Sequence, residues 1–180
     1  DTSLLGCYIV KSNVFKDHRG SFTKLYHEDI FEKNGIHAIF KEQYYTVSEK
    51  NVMRGMHFQI PPHDHSKLIT CLSGRVLDVV LDLRNNSDTY GEVASFELTQ
   101  GDGMSLFIPK GMAHGFLSLE ENSGMLYSTT TVHDPHHDSG VRWDSFGFCW
   151  PRKSPIISDR DSILPNFSDF ESPFLLCNYL

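Results

Sequence analysis

None of the four cysteines, at positions 7, 71, 149 and 177, stands in a Cys-x-x-Cys pair, which removes zinc ribbons and dithiol redox motifs from consideration. Scattered thiols in a chain of 180 residues fit a reducing compartment. Positive charge is also scarce. With 16 Lys plus Arg against 23 Asp plus Glu, the formal charge is −7, which argues against broad binding to nucleic acid or to an anionic membrane. An anionic small molecule would need only a few placed cations. No apolar run approaches the ~20 residues of a membrane-crossing helix, since even the stretch 76–83 is broken by Asp78 and Asp82. The opening DTSLLGCYIV lacks the basic start and long apolar core of an export signal, so the expected location is the cytoplasm. The length fits a single domain over 1–180 with room for a real core.

Gly and Pro recur at 20, 35, 61, 62, 74, 91, 101, 103, 109 and 111, and the apolar stretches between them are short, which favours strands over long helices. From 75 to 83, Leu77, Val79, Leu81 and Leu83 alternate with Asp78 and Asp82, the period of a strand. Two acids on one strand face mean either a solvated surface or a wet barrel interior, and alternation alone leaves both open. Residues 67–72 and 75–83 read as a hairpin turning at Ser73-Gly74, and further strands are expected over 41–48, 92–99, 104–108, 114–119 and 124–132. The one helical pattern is 28–35, with Gly35 placed to end it. From about 151 the chain is rich in Pro, Ser and Asp, with Phe167, Phe170, Phe174 and Leu175 as anchors. It reads as an irregular wrap with room for a short helix.

Ten histidines raise the question of a metal. His63-x-His65 with a later His114 resembles a metal-binding cupin, and Gly103, Pro109, Gly111 and His114 match its second signature. The glutamate expected after the His pair is missing, and Lys67 beside two imidazoles would repel a cation. The barrel is therefore expected without metal or other cofactor. His63 and His65, in a loop after two prolines, are expected to face solvent.

Taken together, the stretches DHRGSF (17–22), NVMRGMHFQIPP (51–62), KLITCLSGRVLDVVLDLRNNSDTYG (67–91), LFIPKGMAHGF (106–116), WDSFGFCWP (143–151) and SPIISDRD (154–161) resemble the dTDP-4-dehydrorhamnose 3,5-epimerase family. The resemblance implies an all-β fold, a cupin double-stranded β-helix (jelly-roll barrel) with short peripheral helices. It implies a metal-independent epimerase inverting C3 and/or C5 of a nucleotide-linked 4-keto-6-deoxy-hexose, in deoxysugar or surface-polysaccharide biosynthesis, acting as a homodimer that exchanges strands.

Removing a proton beside a ketone needs a base on one face, an acid on the other, and a cation or donor at the carbonyl oxygen. By resemblance, His57 is the base, Asp161 orients it, Lys67 faces the enolate oxygen and Tyr127 returns a proton. Arg54 and Arg19 are expected at the diphosphate, since guanidinium suits phosphate oxygens. Phe22 is expected to meet the nucleotide base from the partner subunit, and Gln43, Gln59 and His114 to approach substrate, with Asp78 orienting His114. Two positions depart from the family pattern. Lys24 stands where a carboxylate would accept from thymine, and a donor there points to CDP or GDP rather than dTDP. His133 replaces a tyrosine that shapes the sugar pocket, so it bears on which carbon is inverted. A sugar 3,4-ketoisomerase, a metal-dependent cupin oxygenase and a non-catalytic sugar-binding barrel are the competing readings.

Overall fold

The structure, a computed structural model, describes residues 2–176. In chain order its elements are β1 (Tyr8–Lys11), β2 (Val14–Asp17), β3 (Gly20–Thr23), α1 (Glu28–Lys33), β4 (Glu42–Ser48), β5 (Met53–Gln59), β6 (Lys67–Ser73), β7 (Arg75–Asp82), β8 (Val93–Thr99), β9 (Met104–Ile108), β10 (Met112–Ser118), β11 (Ser123–Thr129), β12 (Asp138–Gly140) and α2 (Asp159–Ser162). A 3₁₀ turn follows at Phe167–Asp169. Two five-stranded antiparallel sheets, ordered β1-β9-β6-β11-β4 and β12-β5-β10-β7-β8, form the jelly-roll barrel.

Side-chain alternation decides what lies between the sheets. Ile69 on β6, Leu106 on β9, Met125 on β11, Val76 and Val80 on β7, Leu98 on β8 and Phe116 on β10 belong to one buried cluster contributed by both sheets. Asp78 and Asp82 share the inward face of β7 with Val76 and Val80 and are fully buried, so the acids of this strand face the barrel interior and not a solvated surface. Asp82 is neutralised in place, its two oxygens accepting from Arg84 Nε at 2.9 Å and Nη2 at 2.6 Å. The opposite face of β7, with Val79, Leu81 and Leu83, packs with Met53, Met56 and Phe58 of β5 against Val141, Trp150 and Phe174 of the C-terminal segment. Full burial of each large aliphatic or aromatic side chain here contributes about 1.5–3 kcal/mol. Truncating Phe116 to Ala, at a position with no exposure, would cost about 3–5 kcal/mol.

The C-terminal segment carries the short helix α2 and packs on the second sheet. Phe170 and Phe174 lie 5.1 and 5.6 Å from Phe58 between ring centroids. Leu175 is exposed rather than an anchor, though its backbone bridges Asn85. Helix α1 ends where Gly35, at φ +76°, lets the chain reverse while the Ile36 N–H donates to Phe31 O at 2.9 Å. Its Phe31 covers the outer face of the first sheet beside Leu68 and Phe107. Strands β1, β2, β3, β5 and β12 lie outside the strands expected from the sequence. The pair β2–β3 forms a separate two-stranded ribbon whose Phe15 and Phe22 are both exposed. Cys7 and Cys71 are buried free thiols and Cys149 is exposed, while Cys177 lies outside the described residues. Among the described residues no helix is long and apolar enough to cross a membrane.

Candidate active site

A cavity of about 360 Å³ opens at one end of the barrel, lined by residues of both sheets and of the C-terminal wrap. His57 from β5 sits in its wall, paired across the ladder with His114 of β10 and Gly140 of β12. Its Nε2 lies 2.7 Å from Asp161 Oδ1, a partner 104 residues away in sequence.

Two local devices make that contact. Ser158 caps α2 by accepting from the Asp161 N–H at 3.1 Å, which fixes Asp161 on the first turn. On the barrel side, Gly55 and Gly115 face one another where the β5–β10 register shifts. A Cβ on Gly55 would sit 2.5 Å from Gly115 Cα, and one on Gly115 would sit 2.7 Å from Met56 Sδ. The close approach leaves the Gly55 N–H free to donate to Asp161 Oδ2 at 3.2 Å. The carboxylate thus accepts from both His57 and Gly55, and these bonds hold it below the usual aspartate range against the opposing effect of burial. An ionised acceptor fixes the imidazole proton on Nε2 and leaves the lone pair on Nδ1. Burial lowers the His57 pKa, with Asp161 pulling the other way, so the ring is neutral at pH 7. It is a base held in one tautomer.

Lys67, at the start of β6, is buried and donates to the His57 carbonyl oxygen at 3.0 Å. Burial lowers its pKa to about 8, while Asp138 and Asp78 work in the opposite direction. It remains predominantly protonated at neutral pH. Tyr127 stacks on Tyr44 at 4.8 Å and meets His114 edge-on at 5.9 Å. Burial raises its pKa well above 10, so it keeps its phenolic proton. His114 Nε2 lies 2.8 Å from Asp78 Oδ2, the partner expected from strand register.

Of the residues expected from sequence, His57, Lys67, Tyr127, Arg54, Gln59, His114 and His133 line this cavity, and Asp161 stands directly behind His57. Arg54 is at the rim, its Nε donating to Ser48 Oγ at 3.0 Å. Gln59 is present in a different capacity. Its Oε1 accepts from Asp134 N at 2.6 Å and its Nε2 donates to His63 O at 2.7 Å, so the amide is used to tie two loops together. Gln43 is misplaced by the expectation. Glu42, Tyr44 and Thr46 of β4 line the cavity, whereas Gln43 falls on the alternate face and donates to Ser128 Oγ at 2.9 Å in an outer cleft. Arg19 and Phe22 lie on the β2–β3 ribbon, away from this cavity, with Arg19 paired to Asp17 at 2.6 Å. Lys24 follows β3 and is exposed.

His65 corrects its expected exposure. It is half-buried in the cavity wall, its Nδ1 accepts from Gln59 Nε2 at 3.2 Å, and its buried Nε2 has no partner among the described residues. Burial pushes its pKa down to about 3. Asp138 and Arg160, paired at 2.9 Å, also line the cavity and were not singled out from sequence. Arg160 directly precedes Asp161, a proximity that the SDRD stretch already displays. Among the described residues, no three metal-ligating atoms converge inside this cavity, since His57 and His114 each turn a ring nitrogen to a carboxylate. What the cavity assembles is a neutral base, a buried cation and a protonated phenol.

A family model described as dTDP-4-dehydrorhamnose 3,5-epimerase matches residues 1–169. An enzyme of that name from Methanothermobacter thermautotrophicus is 39% identical over 165 residues, covering 89% of this chain and 89% of its own. A Bacillus anthracis dTDP-4-dehydrorhamnose 3,5-epimerase, solved with TDP and PPi bound, superposes with a TM-score of 0.90 at 34% identity, covering 92% of this chain and 97% of that one. A Legionella pneumophila dTDP-6-deoxy-D-glucose-3,5-epimerase, solved with dTDP-4-keto-L-rhamnose, gives a TM-score of 0.90 at 26% identity over 95% of this chain and 93% of its own. The names of these proteins carry dTDP or TDP, and none carries the CDP or GDP expected for this chain from Lys24. Lys24, on which that expectation rests, is exposed and does not line this chain's own cavity.

Proposed function

The chain belongs to the dTDP-4-dehydrorhamnose 3,5-epimerase family, and from that membership we propose that it inverts C3 and C5 of a dTDP-linked 4-keto-6-deoxy-hexose. It is an isomerase, and the His57–Asp161 contact carries the assignment of its base. His57 Nδ1 takes the proton from the carbon beside the ketone. The C–H electron pair moves into a new C=C bond, and the carbonyl π pair moves onto oxygen. Lys67 supplies the positive charge at that oxygen, its remaining N–H bonds free to donate beyond the one given to His57 O. Tyr127 returns a proton to the carbon from the other side, which sets the inverted configuration. The imidazolium formed on His57 is stabilised by ionised Asp161 at the moment it appears.

In this proposal Arg54 at the rim binds a phosphate oxygen and His133 borders the sugar; their presence in the cavity lining supports this, with the His133 backbone N–H held by Glu42. Two copies form the working unit in this proposal. Exposed Phe15 and Phe22 on the β2–β3 ribbon support that reading, with Arg19 and Phe22 then serving the partner's cavity.

The test is proton NMR of chelator-treated protein in heavy water with dTDP-, CDP- and GDP-4-keto-6-deoxy-glucose. Loss of both the C3 and C5 signals from the dTDP sugar is expected, with slower exchange from the others. Movement of the carbonyl itself would instead identify a 3,4-ketoisomerase, and exchange at neither carbon would defeat the epimerase assignment.

A further inference from the structure

Beside the cavity, the loop after β5 meets the segment between β11 and β12, and three side chains that the epimerase chemistry does not use converge there. His63 Nε2 lies 3.5 Å from Asp134 Oδ2, and His137 Nδ1 lies 3.1 Å from Asp134 Oδ1. The two imidazoles stack with centroids 4.4 Å apart. All three ligand atoms fall within 4.8 Å of one another, and these residues form the one such group among the described residues.

We propose that His63, Asp134 and His137 form a binding site for one divalent transition-metal ion of zinc-like chemistry, with water completing the coordination. Two imidazoles and a carboxylate are a donor set suited to that ion class. Bonds of about 2.0–2.1 Å in a tetrahedral site place ligand atoms roughly 3.3 Å apart, close to the two separations measured to Asp134. Turning the stacked rings onto a shared ion requires rotation about a terminal histidine torsion, which is broad.

The scaffold under the site is built. Buried Gln59 donates to His63 O and accepts from Asp134 N, so a single amide sets the spacing of the two ligand-bearing segments. Asp134 is further fixed by the His136 N–H, which donates to its Oδ1 at 2.8 Å. None of the three ligands lines the cavity, whereas Gln59, His65, His133 and Asp138 do. An ion bridging the two segments would therefore brace the cavity wall without touching the reacting carbons, and the proposal stands apart from the identity of the substrate.

The experiment is titration of the chelator-stripped full chain with Zn²⁺ against a chromophoric competitor, with Co²⁺ absorption as a readout of geometry. One equivalent should bind, with visible Co²⁺ bands of tetrahedral character. His63→Ala and His137→Ala should each weaken Zn²⁺ binding at least about tenfold, the lower end of what even supporting residues of metal sites contribute. His37→Ala, an exposed histidine elsewhere, should leave binding unchanged. Asp134→Asn should weaken binding similarly while retaining the wild-type circular dichroism. No stoichiometric binding would overturn the proposal. So would unchanged affinity in both histidine variants, which would place the ion on Cys149 or the remaining histidines.

Discussion

Asp161→Asn isolates the electrostatic part of the base without changing its shape. Asn can still accept the His57 Nε2–H through its oxygen, so the tautomer with Nδ1 unprotonated survives. What disappears is the negative charge 2.7 Å from the ring. For charge centres about 4 Å apart, an effective dielectric near 20 gives about 4 kcal/mol between carboxylate and full imidazolium. A transition state with half the proton transferred feels about 2 kcal/mol of this, or ~30-fold in rate, and complete transfer about 10³-fold. The expected result is a kcat lowered between about 30- and 1000-fold, with KM changed little because Asp161 does not line the cavity. A cost in stability accompanies it. The Asn amide presents N–H toward the Gly55 N–H that Asp161 Oδ2 now accepts, leaving a buried donor unpaired at about 1–3 kcal/mol. Turnover should therefore be followed by deuterium incorporation at a temperature well below the variant's melting transition. A kcat within threefold of wild type in a folded variant would refute the assignment of Asp161 as the partner of a proton-accepting His57.

The pH profile of kcat/KM should be bell-shaped, rising as His57 loses its proton below the ordinary histidine value and falling near pH 8 as Lys67 is neutralised; an alkaline limb unmoved by Lys67→Arg would exclude the lysine as its origin. Lys67→Met should lower kcat about 10²–10³-fold, as loss of an oxyanion donor does, while melting temperature stays level or rises because a buried charge is removed. Gly115→Ala should destabilise by about 1–3 kcal/mol through the clash of its Cβ with Met56 Sδ and Arg54 O, and a variant melting like wild type would show that β5 and β10 part easily. His65, neutral down to about pH 3 when folded but titrating near 6.5 when unfolded, takes up its proton first in the unfolded chain. Its contribution is full above pH 6.5 and is lost as pH falls toward 3, by up to about 3–5 kcal/mol. Urea melts should show a shallower acid slope for His65→Gln, and identical slopes would rule this contribution out.

The parts of the site that alternation and motif spacing could reach are those whose orientation follows from one strand. Asp78 facing His114 is such a case, since the ladder sets Gly115 opposite Val79 and brings neighbouring inward positions together. Gln43 shows where this stops. On β4 the polar and apolar residues do not separate by face, because Tyr45 and Val47 are exposed while Tyr44 stacks in the cavity, and parity alone cannot say which set is inside. His65 was illegible for another reason, as its burial comes from Gln59 holding its loop against the barrel. Arg19, Phe22 and Lys24 lie on or next to a ribbon that pairs with neither sheet, so no intrachain contact could have been read for them at the cavity. The β2–β3 pairing itself escaped detection because its burial pattern is almost uniformly exposed.

The separation of His57 from Asp161 along the chain also determines when during synthesis the base can exist. The histidine is made in the first third of the polypeptide, and the carboxylate that fixes its tautomer arrives only after all twelve strands. Because a domain folds as a unit, the two members of the contact meet only once this last segment is available to pack on β5. The His57–Asp161 contact is therefore completed late, when the last segment is laid across β5. A product that ends before Asp161 lacks both that carboxylate and Phe170 and Phe174, which cover Phe58 of β5, so one segment completes the dyad and the second half of the core.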